Sequence, residues 1–103
     1  MIYEIAVFSV QPEHVAAFRR AFAEVAPLLS RAKGYEGHVL GQGVETPQQF
    51  NLIVRWQSVE DHTPGFEASD DHRRFMLGLQ DYLSEEPTVH HIEGDWLPAG
   101  VPG

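Results

Sequence analysis

Apolar side chains point both ways along the first strand-like segment of this chain, and that feature restricts the folds open to it. Residues 2–10, IYEIAVFSV, are rich in β-branched and aromatic types. Successive side chains on a strand face opposite sides. Tyr3, Ile5 and Val7 therefore fall on one side and Ile2, Ala6 and Phe8 on the other. The split recurs further on: Ile53 and Leu40 have the opposite parity to Leu52, Val54 and Val39. A sheet with hydrocarbon on both faces needs two covers, because a large apolar surface left in water is unfavourable. A chain of 103 residues has room for one core only.

The remaining segments say what one cover is. Pro12 sits near a first helical turn, where its missing N–H costs nothing. Val15, Phe18, Phe22, Val25 and Leu29 then repeat at spacings of three and four, which predicts an amphipathic helix ending before Gly34. Residues 35–44 and 50–56 read as strands joined by a turn at residues 45–48. Ser58-Val59-Glu60-Asp61 has the form of a capping box opening a short helix, with Pro64-Gly65 ending that turn. Ser69-Asp70-Asp71 caps again, with acids where a helix dipole favours them. Phe75, Met76, Leu79, Tyr82 and Leu83 predict the apolar face of a second long helix, broken at Pro87. A fourth strand is expected over residues 88–96. Strand–helix–strand–strand–helix–strand is the split β-α-β order of an α+β, ferredoxin-like domain. Right-handed crossovers put both helices on one face of a four-stranded antiparallel sheet. The second cover is then expected to be the sheet of another copy, giving a homodimer. Residues 1–96 form the domain in this reading, and residues 97–103 a loose C-terminal tail.

Composition removes several function classes. The formal net charge of −8 opposes nucleic acid and anionic membranes as partners. No cysteine is present, so no disulfide framework or thiolate site is available. No apolar run approaches the ~20 residues that span a bilayer. The opening MIYEIAVFSV lacks the basic region and cleavage site of a signal peptide, so a cytoplasmic location is expected.

The candidate chemistry lies in residues 56–75. Gly37, Gly41 and Gly43 share a side of the second strand with Tyr35 and Val39, and a glycine row leaves side-chain volume empty. If that side faces the helices, a gap opens there, rimmed by Trp56, Phe66 and Phe75 with His62 and His72 nearby. Such a pocket suits a flat organic ligand, and a histidine titrating near neutrality could take a phenolic proton. The plainer alternative makes the aromatics core and both histidines solvated helix-end residues. A second cluster is expected on the opposite face. With the hairpin turning at Thr46-Pro47, Val44 pairs near Gln49, His38 lies opposite Arg55, and Glu4 falls in the same row. That cluster is either a cross-strand ion pair orienting the dimer or a polar binding spot inside it. His90 and His91 point to opposite faces of a strand and cannot grip one ion together, so no metal is expected, although His91 alone could face the cleft.

The segments IAVFSVQPEHVAAFRRAF, GYEGHV, FNLIVRWQSVEDHTPGFEASDDHRRF and PTVHHIE together resemble the antibiotic biosynthesis monooxygenase family of dimeric α+β barrels, almost to Glu93. The resemblance implies a ferredoxin-like protomer, face-to-face pairing of two sheets, and a cleft between sheet and helices. Some relatives oxidise polycyclic phenols or quinols with dioxygen and neither metal nor flavin, which implies no cofactor here. Others cleave haem, using an asparagine on the first strand that residues 2–10 lack. Phenol-oxidising relatives employ asparagine, tryptophan, tyrosine and arginine; Asn51, Trp56, Tyr82 and Arg55 are present by type. Two readings follow: a cofactor-independent monooxygenase acting on a small aromatic or quinol-type substrate, or a non-catalytic dimeric barrel binding a small hydrophobic molecule.

Overall fold

The computed structural model describes residues 1–95. Trp96 and the tail at residues 97–103 lie outside the described residues. The element order is β1 (Ile2–Ser9), α1 (Val15–Ser30), β2 (Tyr35–Gln42), β3 (Gln49–Trp56), α2 (Asp70–Leu77) and β4 (Thr88–Glu93). The four strands form one antiparallel sheet in the order β2-β3-β1-β4, the expected ferredoxin-like arrangement.

Parity along the central strands decides the core. Ala6 and Phe8 of β1 and Phe50, Leu52, Val54 and Trp56 of β3 are buried beneath the helices. From α1 the predicted stripe delivers Phe18, Phe22 and Leu29, and the rings of Phe18 and Phe50 meet at 4.9 Å. Removing each such side chain from water contributes roughly 1.5–3 kcal/mol. The odd residues Tyr3, Ile5, Val7 and Ile53 lie on the other face, where Val39 and Ile92 are 55% and 48% exposed.

Two sequence expectations are corrected. The second long helix is short: α2 ends at Leu77, and a single tight turn at Gln80–Tyr82 follows. Glycine is a poor helix former. Gly78 also packs tightly on α1, since a Cβ there would sit 2.6 Å from Val25 Cγ1. The second correction concerns register. Gly43 N–H donates to Gln49 O (2.7 Å) and Gln42 pairs with Phe50, so His38 pairs with Val54 and not with Arg55. This one-residue slip sends His38 and Leu40 toward the helices and the glycine row, Gly37 and Gly41, to the open face. A bulge between Tyr35 and Gly37 then brings Tyr35 and His38 to one face, where their side chains hydrogen-bond.

Gly34, at φ +83°, turns α1 into β2, and a Cβ there would collide with the Asp61 side chain. Gly34→Ala should therefore cost about 1–3 kcal/mol, and Phe50→Ala about 3–5 kcal/mol, in urea unfolding. A loss below ~1 kcal/mol for Phe50→Ala would show that the layer between sheet and α1 is not the principal core.

Candidate functional site: a carboxyl and two imidazoles beside an apolar cavity

The site starts from a conflict written into β1. Glu4 has the parity of Ala6 and Phe8, so the strand pushes a carboxyl under the helices, where it is 6% exposed. A buried carboxyl needs donors. Trp56, at the end of β3, supplies one: its indole N–H donates to Glu4 Oε1 at 3.0 Å. The segment after Trp56 then turns back over the sheet. Ser58 Oγ accepts Asp61 N–H (3.2 Å) and donates to Asp61 Oδ2 (3.1 Å), so the predicted cap forms. Pro64-Gly65 does not end the turn: a wide turn continues over Asp61–Phe66, interrupted where Thr63 is extended. The turn buries His62 to 2% exposure and stacks its ring on Trp56, with centroids 5.3 Å apart and planes at 20°.

His62 thereby touches both sides of the site. Its Nε2 lies 3.3 Å from Glu4 Oε1, and its Nδ1 lies 2.8 Å from His91 Nε2. His91 gets there through the sheet, since β4 pairs it directly with Glu4. Beside this chain is a cavity of about 200 Å³. Glu4, Ala6, Phe8 and Leu52 line it from the sheet; His62, Phe66, Glu67, His72, Phe75 and Met76 line it from above, joined by Leu29, Pro87 and Val89. Ser69 places His72 by capping α2, its Oγ accepting His72 N–H at 3.1 Å.

A 3.3 Å contact between carboxyl and imidazole would suit an ion pair, yet burial drives both groups toward their neutral forms. Glu4 is pushed up to about 7 by desolvation, against the Trp56 hydrogen bond and with help from the Glu67 charge. His62 is lowered to about 4 by desolvation and then by His91 and His72. Near neutral pH Glu4 exchanges a proton easily while His62 stays uncharged. Desolvation also lowers His72, against Glu67. Ionised Glu4 can accept a proton from a ligand in the cavity, and the imidazole walls can orient it.

Of the residues expected from sequence, His62, His72, Phe66 and Phe75 line one cavity. Trp56 stands behind His62 and is 1% exposed. His91 joins through His62. Asn51 and Arg55 do not: they lie on the open face, where Asn51 pairs with Val7 and Gly41, and Arg55 donates to Glu36 O at 3.2 Å. His38 faces α1 and packs against Phe22 at 5.7 Å, away from the cavity lining. Tyr82 packs against His14. The expected Glu4–His38–Arg55 cluster therefore does not form. Glu4 is the site residue the sequence reading misplaced, although its signal was present: one acid at the inward parity of an otherwise apolar strand. The glycine row does not create the cavity; the short α2 and the turn before it do. Among the described residues no group of three or more His, Asp or Glu side chains is arranged to hold a metal ion, and no helix is long and apolar enough to cross a membrane.

Fold and site together define a ferredoxin-like protomer whose apolar cavity abuts a buried, titratable acid. The family model for antibiotic biosynthesis monooxygenases matches residues 1–77, and the chain belongs to that family. It is 32% identical over 93 residues to the uncharacterised protein YczJ of Bacillus subtilis (strain 168), covering 90% of this chain and 98% of that one. A crystal structure from Bordetella bronchiseptica, assigned to the antibiotic biosynthesis monooxygenases, superposes with a TM-score of 0.88 at 35% identity, over 92% of this chain and 97% of that one. SnoaB, a cofactor-independent oxygenase from Streptomyces nogalater, shares the fold with a TM-score of 0.78 at 15% identity, over 95% and 96% of the two chains.

The shifted groups give a signed test. Raised Glu4 binds protons in the folded state that the unfolded chain has lost, so it removes stability as pH climbs from about 4.5 to about 7. Lowered His62 does the reverse between about 4 and 6.5. Glu4→Gln deletes only the first effect. Its stability relative to the native chain should rise with pH across that window, by up to about 1.4 kcal/mol per unit. A relative fall, measured by urea unfolding at several pH values, would mean that Glu4 is an ionised partner of His62.

Proposed function

We propose that this protein is a monooxygenase that oxidises a one- or two-ring phenol or quinol with dioxygen, without metal or flavin. The observation that carries the reading is Glu4, a buried carboxyl poised near neutrality on the wall of an apolar cavity. Family membership supports it, and SnoaB, which shares the fold, is itself a cofactor-independent oxygenase. Size favours a small substrate: the cavity is about 200 Å³, against the ~150 Å³ that suffices for benzene.

The chemistry follows from the wall. Ionised Glu4 takes the hydroxyl proton of the ligand, and the resulting phenolate places electron density on a ring carbon bearing hydrogen. Dioxygen bonds to that carbon, and the proton held by Glu4 returns to the terminal oxygen, giving a hydroperoxide. The C–H proton and the terminal hydroxyl then leave as water. One oxygen atom stays on carbon as a carbonyl and the other is reduced to water, so the substrate supplies the electrons. His72 and the rings of Phe66 and Phe75 orient the ligand, while Trp56 and His62 hold Glu4 in place. The remaining residues of the sequence reading, Asn51, Arg55 and His38, take no part in this cavity.

The active form is a homodimer in which the open face, with Tyr3, Ile5, Val39 and Ile53, packs on its twin. This supplies the second cover that apolar residues of odd parity require. Sedimentation velocity at micromolar concentration should show a dimer, and Val39→Glu with Ile53→Glu should shift it to monomer; a monomeric native chain would remove this part of the reading.

Oxygen uptake with a menadiol-type quinol should exceed autoxidation, and Glu4→Gln should lower the rate about 100-fold or more. Equal uptake by both proteins would overturn the role of Glu4. Quinol binding without uptake above autoxidation would leave the non-catalytic ligand-binding barrel as the correct reading.

A further inference from the structure

Glu4 accounts for the chemistry at the cavity wall but not for the second imidazole, His91, that stands behind His62. His62 is buried and its two ring nitrogens are both engaged, one by Glu4 Oε1 at 3.3 Å and one by His91 Nε2 at 2.8 Å. His91 does not line the cavity. It is half-buried on β4, an edge strand of the sheet, so it stands between the sealed acid and solvent. A structural imidazole pair has no need of the carboxyl at one end and a partly exposed ring at the other.

We propose that His62 and His91 form a proton relay that connects Glu4 to bulk water while a ligand occupies the cavity. The proposal rests on Glu4 as the proton acceptor of the site. A proton from the Glu4 carboxyl enters His62 at Nε2 as the Nδ1 proton of His62 passes to His91 Nε2. His91 then releases its other ring proton, from Nδ1, to water. One proton leaves Glu4, one reaches solvent, and each imidazole ends neutral. The need is physical: only ionised Glu4 can take the ligand's proton, and a ligand that enters while Glu4 is protonated blocks the direct path from that carboxyl to water. Stacking on Trp56 holds the His62 plane, with Nδ1 in the hydrogen bond to His91 and Nε2 3.3 Å from Glu4 Oε1. The groups facing the Glu4–His62 pair are few. Trp56 comes from β3, His91 from β4, Thr63 Oγ1 (3.4 Å from Nδ1) from the turn, Glu67 from the segment leading into α2, and His72 from the first turn of α2. None of these besides His91 offers His62 a titratable hydrogen-bond partner leading away from the cavity. His91 is thus a positioning and transfer residue and does not touch the substrate.

Histidine-¹⁵N NMR on the native chain tests the link directly. A scalar coupling across the His62 Nδ1–His91 Nε2 hydrogen bond should be seen, and its absence would overturn the relay. Exchange of the His62 ring proton with water at neutral pH should slow by about tenfold or more in His91→Gln. In His91→Ala, added imidazole should restore it. Exchange unchanged by either substitution would also overturn the relay. The two readings fail separately. Uptake that depends on Glu4 with exchange indifferent to His91 removes the relay alone; exchange that depends on His91 without oxygen uptake removes the oxidation alone.

Discussion

The structure turns on one carboxyl oxygen. Glu4 Oε1 receives the Trp56 indole N–H and abuts His62 Nε2, and these contacts let an acid sit beneath the helices. Without the Trp56 donor the carboxyl would be an unsatisfied buried group, a situation that costs a few kcal/mol. With it the carboxyl stays, protonated or not, at the edge of an apolar space. Each neighbour has a second task as a result. Trp56 ends β3 and gives His62 a flat surface to stack on; His62 closes the turn after β3 and reaches across to β4.

This arrangement joins strands that are far apart in sequence. Glu4 comes from β1, Trp56 from β3, His62 from the turn that follows, and His91 from β4. Antiparallel pairing sets Glu4 opposite both Val54 and His91, so the register of the sheet determines whether the site exists at all. A slip of one residue in either ladder would turn Glu4 or its partners to the other face. The hydrocarbon around them, chiefly Phe8, Leu52, Phe66 and Phe75, excludes water and gives the carboxyl its elevated affinity for a proton.

Much of this was legible in the chain. Strand parity and the stripe in α1 were enough to give the ferredoxin-like order, and Ser58 and Ser69 announced their caps. Of the expected rim, Phe66 and Phe75 line one cavity together with His62 and His72, while Trp56 stands behind His62. What was not legible depended on register and on tight approach. A hairpin loop one residue longer than the sequence pattern implies places His38 on the helix side and separates it from Arg55. The short α2 stops at Gly78, a poor helix former that packs against Val25 of α1, a contact between elements distant in sequence. Glu4 was visible as an acid of inward parity, but burial and partners emerge only when four elements are assembled.

The central claim is that burial, and not pairing with a cation, governs the charge of Glu4. Selective ¹³C labelling of glutamate carboxyls, with Glu4→Gln to assign the resonance, measures this by NMR titration. The account predicts a midpoint near 7 for Glu4. A midpoint at or below the ordinary value of 4.5 would contradict it and leave an ion pair with His62 in its place.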